Sequence, residues 1–230
     1  MRLADKSTTM QEALSGLGDG ATVMVGGFGV PGTPFTLIRD LVRLGLRNLT
    51  VIKNDANETG MGIDHLLASG QVTRLITTHI GLNPRAIEMM NSGAIEVEFN
   101  AQGILAERIR AGGAGLGGIL TDIGEETELT AGKPRIEIAG KRLVVETALR
   151  ADVALIHAER ADPFGNLRYV ATARNFNPLM AMAADRVIAE AERIVPLGDL
   201  AGDDVHTPGP FVDHVVALGP LSEEYAVVRR

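Results

Sequence analysis

The clearest candidate for chemistry in this sequence is a glycine-rich run that follows a short apolar segment. The run consists of Gly26, Gly27, Phe28, Gly29, Val30, Pro31 and Gly32. The apolar residues 21–25 before it are typical of a strand buried on both faces. Thr33 and Pro34 after it predict the N-cap and the first residue of a helix, whose free amide groups favour anions. We therefore expect a phosphate or carboxylate ligand at this loop.

Three other interpretations of this loop can be weighed against that one. Residues 27–32 fit the G-x-G-x-x-G pattern of a dinucleotide site, and Asp55 follows at a suitable distance. In such a site the helix begins within the glycines, so Pro34 would lie inside it, at a cost of about 3 kcal/mol. A Walker-type phosphate loop needs a Lys after its last Gly, where this chain has Thr33. A plain turn, in which Gly only supplies unusual backbone angles, remains open.

The rest of the sequence offers few groups for covalent or metal chemistry. It contains no Cys, which excludes a disulfide, a zinc-thiolate site and a thiol nucleophile. The His residues never occur at the i, i+3 or i, i+4 spacing that aims two imidazoles at one metal, so no metal site is predicted. No Ser lies in a G-x-S-x-G elbow. Covalent catalysis would need a carboxylate, and local sequence singles out none.

The composition predicts one globular domain that spans residues 1–230. A net charge of −7 and an aromatic content of 3% argue against nucleic-acid binding. No apolar run reaches the ~18 residues of a membrane-spanning helix, and the first residues lack a hydrophobic signal region. We expect a cytoplasmic protein that binds neither nucleic acids nor membranes.

The elements that must position the loop alternate between strand and helix through the first 110 residues. Strands are predicted at residues 21–25, 49–52, 75–79 and 95–99. Asn83 and Pro84 predict the start of an intervening helix. Because parallel neighbours need such helical crossovers, this rhythm predicts a mostly parallel sheet with helices on both faces.

Beyond residue 110 the pattern becomes partly antiparallel. Two β-hairpins are predicted, from residues 134–138 with 142–146 and from residues 152–157 with 167–170. Asn177 and Pro178 predict another capped helix. Further strands are predicted at residues 187–191 and 212–218. The predicted fold class is therefore α/β with a mixed, mostly parallel sheet.

A second glycine-rich segment lies at residues 112–118, after a helix predicted at residues 104–110. Five of its seven residues are Gly. A backbone without Cβ atoms can lie flat against a ligand, a partner subunit or another loop, and it can also simply be mobile. Composition alone does not choose among these interpretations.

A longer pattern surrounds the first glycine run. It reads Asp19-Gly20-x-x-Val23-Met24-Val25-Gly26-Gly27-Phe28-x-x-x-Gly32-x-Pro34. In this pattern the sequence resembles the α-type subunit of family I coenzyme A-transferases. The resemblance continues through residues 49–55, 79–81, 102–103, 107–110, 112–118, 173–178 and 206–209.

The resemblance implies a fold and a reaction. The implied fold is a three-layer α/β unit shared with certain sugar-phosphate isomerases. The implied reaction moves coenzyme A from an acyl-CoA to a free carboxylic acid through a glutamyl-CoA thioester, in a ping-pong sequence. In the family the glutamate belongs to a Ser-Glu-Asn-Gly motif of a β-type partner subunit. Here Ser222 and Glu223 are followed by Glu224 and Tyr225, so we expect no catalytic nucleophile in this chain.

The resemblance also implies site residues and substrates. It assigns residues 26–32 to coenzyme A contact, and it gives Asn54 and Gln102 supporting roles opposite the glutamate. Coenzyme A is then a substrate, with no permanently bound cofactor or metal. Residues 79–84 and 115–118 look most like those of enzymes that act on acetate, butyrate and acetoacetate. An isomerase-like enzyme or a ligand-binding module on the same fold is the alternative.

Overall fold

A computed structural model describes residues 4–225, and residues 1–3 and 226–230 of the predicted domain lie outside this part. The strands are β1 (Thr22–Val25), β2 (Leu49–Ile52), β3 (Val72–Thr77), β4 (Glu96–Phe99), β5 (Gly118–Thr121), β6 (Arg135–Ile138), β7 (Lys141–Thr147), β8 (Ala151–Ala161), β9 (Leu167–Arg168), β10 (Ala184–Ile194) and β11 (His214–Ala217). The α-helices are α1 (Met10–Ala13), α2 (Phe35–Leu44), α3 (Asp64–Ala68), α4 (Pro84–Asn91), α5 (Gln102–Gly113) and α6 (Asn177–Met182). Within residues 4–225, none of these helices is long and apolar enough to cross a membrane.

The main sheet is almost entirely parallel. Its strand order is β11-β10-β8-β1-β2-β3-β4, and β9 adds an antiparallel pair to β8. Alternate residues of the central strands belong to two different buried clusters, so each face of the sheet has its own core. Helices α2, α3 and α4 cover one face, and α5 and α6 cover the other. This three-layer arrangement confirms the predicted fold class.

Strand β1 lies at the centre of the sheet and carries the first glycine run at its carboxyl end. It pairs in parallel with β2 on one side and with β8 on the other. Val23, Met24 and Val25 are fully buried, which explains the continuous apolar sequence. Because the neighbouring strands end at the same edge, the glycine run lies beside the residues that follow β2.

A second, three-stranded antiparallel sheet is formed by β5, β7 and β6, in that order. The predicted hairpin is confirmed as β6 and β7, with Ile136 opposite Leu143. Strand β5 was not expected, because only four residues pair there and none is fully buried. The inward side of β7 places Glu146 beside Arg108 of α5 and Lys133. Ion pairs therefore attach this sheet to the main body.

Of the three predicted helix caps, only the one at Asn83 is confirmed. The Asn83 side chain accepts the Ala86 amide at the start of α4. Thr33 was expected to cap α2, but its hydroxyl donates to the Gly29 carbonyl at 2.7 Å, and the helix begins at Phe35. Asn177 is the first residue of α6, and its buried side chain contacts the glycine run instead of the helix amides. In both corrections another contact takes the side chain away from the local cap.

Candidate functional site

The first glycine run packs tightly against the segment that precedes α6. A Cβ atom on Gly26 would lie 1.9 Å from Oδ1 of Asn177. Gly32 has a φ of +76°, and a Cβ there would lie 2.4 Å from the Ala173 carbonyl oxygen. Asn177 Nδ2 donates to the carbonyls of Gly32 and Ala173. Part of the glycine pattern is therefore structural, which supports the turn interpretation at these two positions.

The middle of the run is held from the other side by residues after β2. The Gly29 amide donates to Asp55 Oδ2 at 2.8 Å, and the Gly29 carbonyl accepts from Asn57 Nδ2 at 2.9 Å. Asp55 Oδ1 in turn accepts the Asn57 amide. Both polar groups of Gly29 are thus fixed by neighbouring side chains. By contrast, the amides of Val30 and Gly32 have no hydrogen-bond partner within the described residues, so they can donate to a ligand.

Asp55 is ionised and buried, and Lys53 is its counter-ion. Nζ of Lys53, which is fully buried, lies 3.4 Å from both carboxylate oxygens. Burial alone would raise the pKa of Asp55, but the Lys53 charge and the bonds from Gly29, Asn54 and Asn57 outweigh it and lower that pKa. Burial lowers the pKa of Lys53, and Asp55 opposes this change. A charged acceptor at this position strengthens the bonds that hold Gly29.

The two residues expected to support catalysis are in direct contact. Gln102 Nε2 donates to Asn54 Oδ1 at 2.7 Å, and Asn54 Nδ2 donates to Asp55 Oδ2 at 3.1 Å. Asn54 is buried at the end of β2, whereas Gln102 is exposed at the start of α5. The bonds among Gln102, Asn54, Asp55 and Gly29 form one chain, which we call the amide network. It joins the glycine run to both supporting residues at the carboxyl edge of the sheet.

The start of α2, where an anion was expected, is occupied by the protein's own groups. The Leu37 amide donates to Glu190 Oε2 at 2.9 Å, and the Thr36 amide donates to the Tyr225 hydroxyl at 2.7 Å. The Phe35 amide bonds to the Thr33 carbonyl. Glu190 is fully buried and serves as the anion for this helix end. The expectation that α2 offers free amides to a ligand was therefore wrong.

Glu190 also belongs to a buried charged cluster. Its Oε1 lies 2.9 Å from His157 Nδ1, and Glu192 Oε1 lies 3.2 Å from His157 Nε2. Tyr225 donates to Glu190 Oε1 at 2.6 Å. Burial would lower the pKa of His157, but the two carboxylates outweigh it and raise that pKa above its ordinary value. The cluster thus holds an imidazolium between two carboxylates behind the glycine run.

The glycine run separates two cavities. One, of about 100 Å³, lies on the side of Asp55 and Ile80. The other, of about 170 Å³, lies on the side of His157 and Tyr225. Val30 contributes to the walls of both. Phe28, at the tip, is 46% exposed although it is a large aromatic residue. The loop therefore presents its tip and one wall of each cavity to the surroundings.

The second glycine segment packs mainly against its own chain. Helix α5 continues to Gly113, beyond the predicted end at residue 110. A Cβ on Gly112 would lie 2.0 Å from the Leu149 carbonyl oxygen, and one on Gly118 would lie 2.4 Å from that of Glu146. Gly115 and Gly117 have open space instead. Of the interpretations offered above, contact with another part of the chain applies to Gly112 and Gly118.

Sequence reasoning missed the role of Glu190 and gave Asp55 another one. Asp55 was noted only as a partner in a dinucleotide site, whereas its carboxylate holds Gly29. The signal was its position directly after β2, at the edge where the glycine run begins. Glu190 lies 153 positions from its amide partner, and local sequence carries no sign of that contact. Within residues 4–225, no group of three or more His, Asp or Glu side chains is placed to hold a metal.

Comparison with known proteins gives a consistent family. The model of a family described as Coenzyme A transferase matches residues 7–218. The alpha subunit of a probable coenzyme A transferase of Bacillus subtilis is 51% identical over 92% of this chain and 93% of its own length. One of the subunits of a succinyl-CoA:3-ketoacid coenzyme A transferase of Xanthomonas campestris is 47% identical over 93% of this chain and 88% of its own.

One solved structure shows the same fold in a longer protein. It is an acyl-CoA transferase of E. coli O157:H7 in a thioester complex with CoA. The TM-score is 0.85 at 24% identity, over 97% of this chain. This chain spans 49% of that protein, about half its length. The fold described above therefore occurs there together with a further portion of chain.

Proposed function

Because this chain belongs to the coenzyme A transferase family, we propose that it is the α-type subunit of a two-chain enzyme. The enzyme moves coenzyme A from a short-chain acyl-CoA to a free carboxylic acid in the cytoplasm. The observation that carries the proposal is the amide network, which joins the glycine run to Asn54 and Gln102 in a chain without the Ser-Glu-Asn-Gly motif. These are the supporting parts of a site whose nucleophile must come from elsewhere.

The proposed reaction begins at a glutamate of the partner subunit. Its carboxylate attacks the thioester carbonyl, and the coenzyme A thiolate leaves. The thiolate then attacks the resulting anhydride at the glutamyl carbonyl, which releases the donor acid and leaves a glutamyl-CoA thioester. The acceptor acid reverses these steps. Coenzyme A is therefore a substrate that leaves with the product, and no permanent cofactor is needed.

This chain's residues would bind and orient the reacting groups. Negative charge develops on a carbonyl oxygen at each attack, and fixed amide donors at that position stabilise it. Gln102 is exposed and has a second Nε2 hydrogen beyond the one that it donates to Asn54. The unbonded amides of Val30 and Gly32 would serve the coenzyme A moiety. Asp55 holds Asn54 and Gly29 in place and does not touch the substrate in this proposal.

The reconstitution of activity tests this division of labour. We expect no coenzyme A transfer by the purified chain, none by a β-type partner from the same source, and transfer by the mixture. The donor would be acetoacetyl-CoA, and the loss of its enolate absorbance would follow the reaction. A matched control uses a partner whose motif Glu is replaced by Gln, which should assemble but not react. Turnover by this chain alone would contradict the proposal.

A further inference from the structure

The cavity on the Asp55 side of the glycine run has a wall that is mainly aliphatic. Its apolar lining comes from Phe28, Val30, Ala56, Met61, Ile80 and Leu82. Asp55 contributes to this wall and also belongs to the amide network. A carbonyl group held by the network would therefore have this cavity next to it. We call this space the acyl cavity.

The size of the acyl cavity limits what it can hold. Its volume is about 100 Å³. An engineered apolar cavity of about 150 Å³ accommodates benzene, which has six carbons. In proportion, the acyl cavity accommodates a chain of roughly four carbons. Met61 is partly buried at its wall, so a bulkier side chain there would shorten the space further.

The charges around the acyl cavity are negative. Among the described residues, no Lys or Arg lines it, whereas Asp55 and Glu58 do. The Glu58 side chain is exposed and makes no hydrogen bond or ion pair with residues 4–225. The nearest cations in sequence are committed elsewhere, Lys53 to Asp55 and Arg85 to Asp64. A second carboxylate on a ligand would meet like charge and find no cationic partner here.

We infer that the acyl cavity selects linear monocarboxylic acyl groups of up to about four carbons and rejects acyl groups with a second carboxylate. This inference rests on the proposed function and names its substrate class. Family membership leaves the class open, because the Xanthomonas relative is named for succinyl-CoA, whose acyl group carries a second carboxylate. Glu58 acts in this selection as a specificity residue at the cavity, through its charge.

The charge selection is tested with acceptor acids on the reconstituted two-chain complex at pH 8, where imidazoles are largely neutral. We expect the kcat/KM for butyrate to exceed that for succinate by roughly 100-fold. Glu58→Lys should narrow this ratio at least about tenfold, mainly by improving succinate. Asp185→Lys makes the same change in charge at the opposite edge of the sheet, on an exposed residue, and should leave the ratio unchanged.

The size selection is tested with Met61→Phe, which should lower kcat/KM for butyrate about tenfold relative to acetate. If Met61→Phe instead raises KM for all CoA thioesters equally, the cavity holds the coenzyme A arm and the inference is wrong. Equal use of succinate and butyrate by the wild-type complex would also overturn it. Absence of transfer with every acid would refute the proposed function, which is a distinguishable outcome.

Discussion

Helices α2 and α5 both begin at the carboxyl edge of the sheet, but their first turns are treated in opposite ways. The first amides of α2 are bonded to Thr33, Tyr225 and Glu190, all within the protein. The first turn of α5 receives no side-chain cap, and its Gln102 side chain joins the amide network. One helix start is therefore structural and saturated, whereas the other remains available to a substrate.

This difference shows why a glycine loop followed by a helix does not by itself locate an anion site. The positive end of a helix attracts whichever anion is nearest, and in α2 that anion is a buried carboxylate of β10. The site then shifts to the loop amides and to the start of α5. Changes at α2 should therefore affect stability, and changes at α5 should affect catalysis.

The largest effect is expected from Glu190→Ala at the α2 side. It leaves the His157 imidazolium and the Leu37 amide without their buried acceptor, which should cost about 3–5 kcal/mol in the free energy of unfolding. Urea denaturation of the isolated chain measures this loss. Glu190→Gln, which keeps the shape, should cost less, and Glu192→Gln, at a more exposed partner of His157, should cost about 1 kcal/mol or less. Similar losses for Ala at both glutamates would remove the distinction between them.

Gln102→Ala should have the converse effect at the α5 side. Because Gln102 is exposed, the free energy of unfolding should change by only about 0.5 kcal/mol. The kcat of the reconstituted complex should fall about 100-fold, as expected when a fixed donor to a developing oxyanion is removed. Gln102→Glu, of similar size, tests whether the donor and not the volume matters. A fall in stability that matches the fall in kcat would show that the contact with Asn54 is only structural.

Tyr225→Phe should produce a smaller loss at the α2 side. The ring still packs edge-on against Phe35, whose centroid lies 5.1 Å away, but the hydroxyl that bonds Thr36 and Glu190 is lost. We expect about 1 kcal/mol of destabilisation and an unchanged kcat. Thermal unfolding and the transfer assay measure the two quantities. A marked fall in kcat would mean that the start of α2 also takes part in catalysis.

The smallest effect is a pH dependence that originates at the α2 side. The folded-state pKa of His157 is raised above its ordinary value of 6.5, because Glu190 and Glu192 face it while the Tyr225 hydroxyl stays neutral. The resulting stabilisation is fully present below about pH 6.5 and is lost as pH rises through the folded-state pKa. In urea titrations, His157→Gln should flatten this decline. His214→Gln, on the edge strand β11, serves as the control and should preserve the decline.

The sequence predicted the parts that depend on local pattern, and it missed those that depend on long-range contact. The buried run at β1, the glycine loop and the Asn83 cap are all readable from neighbouring residues. The resemblance supplied Asn54 and Gln102, which the structure brings into contact. Thr33 and Asn177 were assigned to caps because local spacing allowed it, yet both side chains bond within or beside the glycine run. The role of Glu190 could be seen only after folding brought β10 next to α2.

The most direct test of the account is to locate the covalent intermediate in the two-chain complex. After incubation with acetoacetyl-CoA, borohydride reduces a glutamyl-CoA thioester to an alcohol, and peptide mass spectrometry identifies the modified residue. The account predicts that the modification falls on the motif Glu of the partner and on no residue of this chain. Modification of a Glu or Asp in this chain would contradict the claim that it supplies the supporting half of the site.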